Sequence, residues 1–115
     1  METLAEQLKA FSDPTRLRIV RLLEHGELCV CDLMEALDLP QSKVSRHMSF
    51  LKSAGWVLSR RNGKWIYYSL AEPDSPIQAD VLAALRQGLP QVPQAMEDYQ
   101  RLCHYLETKN PEKCD

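Results

Sequence analysis

No carboxylate occurs between Gln41 and Leu70, a stretch of thirty residues in a chain of 115. Six Lys and Arg fall within it, whereas residues 1–40 carry four against eight acids and residues 71–115 again four against eight. A +6 island thus stands between two −4 flanks, in a chain of net charge −2 and pI 5.9. That total argues against a generic polyanion binder. The island argues for a local one, because phosphate attraction follows the nearby field rather than the sum. A solvated helix and loop face is the plainer alternative.

Other features are missing as well. No run approaches the roughly eighteen apolar residues of a membrane span. The opening METLAEQLKAF is acidic and amphipathic, with no basic region ahead of an apolar core, so it is not a secretory signal. A cytoplasmic protein is expected. There, four cysteines are thiols, ligands or redox sensors sooner than structural disulfides. There is no cofactor motif, internal repeat or low-complexity segment. The length predicts one domain with a small core that dimerisation would help. Apolar content of 44% and charged content of 26% are those of an ordinary globular chain.

What is present reads as short helices and a hairpin. Leu4, Leu8 and Phe11 give one face to a helix over 2–11. Asp13 and Pro14 start the next as N-cap and first helical residue, and Gly26 ends it after about residue 24. Leu17, Val20 and Leu23 or Leu22 face its core side, with Arg16, Arg18 and Arg21 around the rest. A third helix runs from near Cys29 to Leu37, with Cys29 as N-cap and Asp32 in the capping-box position. After the turn Asp38-Leu39-Pro40, a fourth helix over 41–54 buries Val44, Met48 and Leu51. It leaves Gln41, Ser42, Ser45, Arg46 and Ser49 outside, and Gly55 stops it.

Two short helices about a tight turn, the second with an exposed polar face, make a helix-turn-helix. Residues 56–61 and 65–70 are β-rich, and Asn62-Gly63 between them predicts a two-residue hairpin turn. Its tip carries Arg60, Arg61 and Lys64, a wing for phosphates or a minor groove. Helices over 76–88 and 92–108 follow. The stripe Val92, Met96, Tyr99, Cys103 and Leu106 on the last has nothing left to cover. With Leu4, Leu8 and Phe11 it predicts a dimer interface. The fold class is mainly α with a β-hairpin, a winged helix-turn-helix over 1–108 and a tail over 109–115.

Within this frame Gln41, Ser42, Ser45 and Arg46 face base edges, and Arg46 suits bidentate contact with guanine. Lys43, Arg60, Arg61 and Lys64 hold phosphates, with Asn62 at the wing tip. His47 either contacts DNA or packs beside the turn. His25 falls at a helix end and His104 toward solvent. Cys29 and Cys31 form a soft-ligand pair at the entrance to the motif, set against the alternative of two inert thiols.

SDPTRLRIVRLL, ELCVCDL, SKVSRHMSFLKSAG and RRNGKWIYYSL, in this order, resemble the ArsR/SmtB family of winged-helix metalloregulatory repressors over about residues 3–108. ELCVCDL resembles the metal box of its arsenic-sensing branch. The resemblance implies a homodimer on double-stranded operator DNA that leaves when As(III) or Sb(III) binds as inducer. It makes Cys29 and Cys31 the ligands, with no catalytic cofactor and no enzymatic activity. Met34 stands where a third cysteine is common in that branch. Cys114, Cys103, water or a small thiol is left for the third position.

Residues i and i+2 of an α-helix point about 200° apart, so two sulfurs there cannot hold one atom, whereas in extended chain they share a side. Arsenic is therefore expected to unwind the first turn of the third helix. The same fold responding to Cd(II)/Pb(II) or to thiol oxidation is the nearest alternative. A small thiol enzyme or metal chaperone is the more distant one, with no general base in view and the basic island unexplained.

Overall fold

The computed structural model describes residues 1–109; Cys114 lies outside them. The chain forms α1 (Glu2–Lys9), a 3-10 turn (Ala10–Ser12), α2 (Pro14–Leu23), β1 (Leu28–Cys29), α3 (Val30–Leu37) and α4 (Gln41–Ser53). The wing follows as β2 (Val57–Asn62) and β3 (Trp65–Leu70), then α5 (Pro76–Gly88), a 3-10 turn (Leu89–Gln91) and α6 (Pro93–Thr108).

The caps explain the boundaries. Asp13 accepts the backbone N–H groups of Thr15 (2.8 Å) and Arg16 (3.2 Å), with Pro14 behind it, so α2 starts where its first donors find an acceptor. Burial pushes the Asp13 carboxyl up, but those two bonds and the Arg16 guanidinium hold it below its ordinary range. Asp38 ends α3 in a left-handed conformation (φ 56°), and Pro40 leads into α4. A short polar side chain tolerates that region better than a branched one. Gly55 (φ 88°) turns the chain out of α4.

Ile19, Val20, Leu22, Leu33, Val44, Met48, Leu51 and Leu102 form the centre of one core, so α2, α3, α4 and α6 close on each other. Trp56 ties in α1: its Nε1 donates to the Gln7 carbonyl at 2.8 Å, and Phe11 packs on its ring at 4.5 Å.

Two details differ from the sequence expectations. The sheet has three strands in the order β1-β3-β2, because Leu28 and Cys29 pair with Tyr68 and Tyr67. The hairpin turn is Gly63-Lys64 rather than Asn62-Gly63. Asn62 pairs with Trp65, and among the described residues only Gly63 (φ 66°) takes a positive φ in the turn. Glycine first and any residue second is the pattern of a type II′ turn, so Asn62 is free to continue the strand.

Helix α6 has two faces. Ala95, Asp98, Leu102 and Tyr105 point into the core. Val92 and Met96 stay 44% and 47% exposed, with Tyr99, Cys103 and Leu106 half-covered beside them.

Candidate nucleic-acid interface and thiol site

Helix α4 presents Gln41, Ser42, Lys43, Arg46 and Ser49 to solvent and half-covers Ser45, while Val44, Met48 and Leu51 are buried beneath. The wing presents Arg61, Asn62 and Lys64. Among the described residues Lys43, Arg46, Arg61 and Lys64 form no ion pair with an acid, so their charge is available to phosphates. Arg60 is different. It is held by Glu27 through two bonds (2.6 and 2.7 Å) and lies 4.8 Å over the Tyr67 ring. An acid from the flank preceding the island therefore neutralises one of the island's six cations.

Of the two places expected for His47, DNA contact or packing beside the turn, the structure shows the second: it is 8% exposed and lies on the core side of α4 with Val44, Met48 and Leu51. Its Nδ1 sits 3.4 Å from Arg16 Nη1 and 4.0 Å from Asp13. A guanidinium only donates, so Nδ1 accepts and the ring is neutral there. Arg16 also donates to the Ala10 carbonyl at 2.7 Å and covers the Phe50 ring at 4.1 Å. His47 thus packs beside the turn and pins α4 to α2.

Burial pushes this imidazole below its ordinary range, opposed by Asp13 and reinforced by Arg16, Arg46 and Lys43. A folded pKa below the unfolded one means that the unfolded chain binds more protons. The neutral ring's contribution is then complete above the unfolded value, near 6.5, and is lost as pH falls through that value towards the folded one. Urea unfolding at pH 7.5 and 5.5 is expected to show lower stability at the acid end, and His47→Gln a flatter profile than wild type.

The two cysteines sit where β1 becomes α3, and Cys29 is disulfide-bonded there, not the thiol the sequence suggests. Cys29 is extended (φ −86°, ψ 167°) and fully buried, and its N–H donates to Asp32 Oδ2 at 2.9 Å, as the capping box predicts. Cys31 is the second residue of α3 and half-exposed. The pair is therefore not a single helical turn: Cys29 is already strand, and only Val30 and Cys31 are helical. Cys31 lines a cleft of about 220 Å³ together with Met34, Gln41, Ser45, Trp65 and Tyr68. One space is thus shared by Cys31, two outward residues of α4 and the wing.

Lys109, just past α6, places Nζ 2.8 Å from Asp32 Oδ1 and 3.9 Å from Cys29 Sγ. Cys103 lies two residues before Tyr105, about 200° round the helix from it. Tyr105 is the α6 side chain that faces the thiol end, where burial and then Asp32 push its phenol up. Among the described residues no three Cys, His, Asp or Glu side chains converge as a metal would require. Cys103 is accordingly not brought to the pair. His25 lies past the end of α2 with its ring 6.0 Å from that of Tyr99, and His104 is exposed.

A family model described as bacterial regulatory protein, arsR family, matches residues 13–59, from the N-cap of α2 into the wing. The chain is 46% identical over 72 residues to an uncharacterized HTH-type transcriptional regulator of Methanocaldococcus jannaschii, covering 62% of this chain and 81% of that one. The chain belongs to the arsR family. It is also 55% identical over 64 residues to the arsenical resistance operon repressor of Escherichia coli K12, a match that spans 55% of either chain. The present chain therefore accounts for just over half the length of that relative. Among solved structures, the homodimeric winged helix-turn-helix DNA-binding domain of a possible ArsR-family regulator from Mycobacterium bovis superposes with a TM-score of 0.64 at 30% identity, covering 75% of this chain and 77% of that one. The winged helix-turn-helix of this arsR-family chain is thus established by its own elements and by its neighbours. No helix among the described residues is long and apolar enough to cross a membrane.

Proposed function

We propose that this chain is a homodimeric repressor that occupies an operator through α4 and the wing and is released when As(III) or Sb(III) binds Cys29 and Cys31. The observation that carries the reading is the shared cleft: Cys31 opens onto the same space as Gln41, Ser45 and the wing residue Trp65. A ligand that moves Cys31 changes the wall against which the reading helix and the wing are set. The names of the E. coli relative and of the M. bovis domain support the arsenical signal and the dimer. So does the outer face of α6, with Val92 and Met96 exposed, alongside Leu8 of α1 at 41%.

The chemistry fits the donor set. Soft thiolates select soft ions over magnesium and calcium. Each As–S bond replaces one hydroxyl of arsenous acid, which leaves as water with the thiol proton, so nothing is oxidised. Two sulfurs come from Cys29 and Cys31. Met34, a thioether on the cleft wall, is not a thiolate donor. For the third sulfur Cys114 is preferred to Cys103. Lys109 is anchored beside Cys29, and five further residues of chain span up to about 17 Å. Water or a small thiol serves where Cys114 does not.

The test is a titration of the reduced protein on a labelled copy of its own upstream DNA, followed by fluorescence anisotropy. Release at micromolar arsenite supports the reading. Release by cadmium or by peroxide, with arsenite inert, keeps the repressor and replaces the signal. Thiol turnover without DNA binding would make it an enzyme and discard the reading altogether.

The same assay sorts the DNA contacts. Arg61→Ala or Lys64→Ala should weaken binding to operator and random DNA alike and reduce the salt slope by about 1. Arg46→Ala should cost about 1–3 kcal/mol on the operator and little on random DNA. Arg60→Ala should do less than either wing change, since Glu27 already holds that guanidinium.

A further inference from the structure

Helix α3 is held at both ends by cations that come mainly from α6. At its C-terminal end, Arg101 Nη1 donates to the Ala36 carbonyl (3.3 Å) and Arg18 Nη2 to the Leu37 carbonyl (3.4 Å). Those carbonyls lack helical partners, and a positive charge suits that end of the helix dipole. At the N-terminal end the cation is Lys109. An ammonium there opposes the dipole, and what compensates it is Asp32, which is 3% exposed. One carboxylate thus does two tasks: Oδ2 accepts the Cys29 N–H and Oδ1 accepts Lys109 Nζ. Lys109 is itself mostly covered, with 15% of its side chain exposed.

We infer that Lys109 is a positioning residue, a latch from the end of α6 that holds the thiol segment in its DNA-binding form. The inference rests on the thiol-sensor reading for its consequence, but the latch exists without a ligand. Ligand capture that draws Cys31 out of α3 must move Asp32, one residue on, and so break the bond to Lys109. The latch therefore favours the unliganded form and sets how much inducer is needed. By linkage, weakening it shifts the population toward the ligand-accepting form.

The experiment uses the full chain with Lys109→Met, Lys109→Arg and Asp32→Asn, read in two ways. The first is hydrogen exchange of backbone amides 29–33 in the ligand-free protein. Lys109→Met is expected to speed these at least several-fold while amides of α4 stay as in wild type, and Lys109→Arg to restore slow exchange. The second is the arsenite concentration that half-releases operator DNA, expected to fall about 3- to 10-fold in Lys109→Met and to return toward wild type in Lys109→Arg. Unchanged exchange at 29–33 in Lys109→Met overturns the latch. So does a rise in the arsenite requirement, or exchange that speeds equally through α4, which would be general destabilisation. Asp32→Asn, which keeps an acceptor for the Cys29 N–H but loses the charge, should reproduce Lys109→Met. If it exchanges as slowly as wild type, the pair is not the latch. If the exchange results come out as expected and arsenite fails to release wild type, the sensor reading fails and the latch stands.

Discussion

Arsenite added to Cys31→Ser on its operator is expected to leave the complex intact, while wild type loses affinity about 5- to 150-fold, the range of a 1–3 kcal/mol allosteric coupling. The reason is an exchange balance. Arsenous acid in water already has three oxygen ligands, so a serine hydroxyl offers nothing it lacks, whereas a thiol replaces an oxygen with a sulfur. Cys31 is half-exposed in the first turn of α3, and its change to Ser should cost the fold little. Cys29→Ser should be equally unresponsive. It is fully buried, but it stands at an N-cap, where serine is among the preferred residues. Both variants should therefore still bind operator, which separates loss of signal from loss of fold. Cys103→Ser, off the thiol end of α6, should respond like wild type. Retained release in either Cys29→Ser or Cys31→Ser would remove that thiol from the site.

The extent of the movement follows from the conformation of the pair. Cys29 is already extended, so bringing the two sulfurs to one side requires Val30 and Cys31 alone to leave the helix. That loses the capping arrangement around Asp32, about 0.5–2 kcal/mol for a helix N-cap. That cost is of the same order as the expected coupling, so a local unwinding is the scale of movement the proposed release calls for. No rotation of whole domains is needed. On the proposed reading the cleft conveys it, since Cys31 and Gln41 share its wall.

Most of this was readable from residues alone because it is local. Asp13-Pro14, the Cys29–Asp32 capping box and the 44, 48, 51 spacing each carry their own cause within four residues. What escaped reading is non-local or ambiguous. A two-residue strand has no periodicity, so β1 was invisible until Tyr67 and Tyr68 lay beside it. Glu27 and Arg60 are thirty-three residues apart and meet only because β3 brings β1, just after Glu27, and β2 into one sheet. The Asn62-Gly63 signal was genuine, but only one positive φ was needed, and the register moved on by one. His47 was legible after all: it falls on the same helical face as Val44, Met48 and Leu51, and its polarity drew attention outward. Of the α6 stripe expected to face a partner, Tyr99 and Leu106 pack on the chain's own core and Val92 and Met96 stay exposed; the core-facing row around Asp98 was missed, because a buried carboxylate looks like a surface residue until its arginine is in view.

That arginine makes the second large effect. Arg18→Met is expected to destabilise the fold by about 3–5 kcal/mol, the cost of stranding one charge of a buried pair. Asp98 is 0% exposed and accepts Arg18 Nε at 2.7 Å, Arg18 Nη2 at 2.9 Å and Gln94 Nε2 at 3.0 Å. Without Arg18 the carboxylate keeps only an amide partner, deep between α2 and α6. The reverse change should be milder. In Asp98→Asn the amide keeps a carbonyl acceptor toward Arg18, and Arg18, 22% exposed, can still reach water. A domain of this size holds roughly 5–15 kcal/mol in all, so Arg18→Met should lower the melting temperature by more than about 10 °C and Asp98→Asn by clearly less. Calorimetry of the two variants decides the order. If Asp98→Asn is the worse, the pair's energy lies in the charge on α6 rather than in the burial of an unpaired carboxylate. The double variant Arg18→Met, Asp98→Leu removes both charges and should recover much of the loss, because the penalty belongs to the orphaned ion and not to the missing bond.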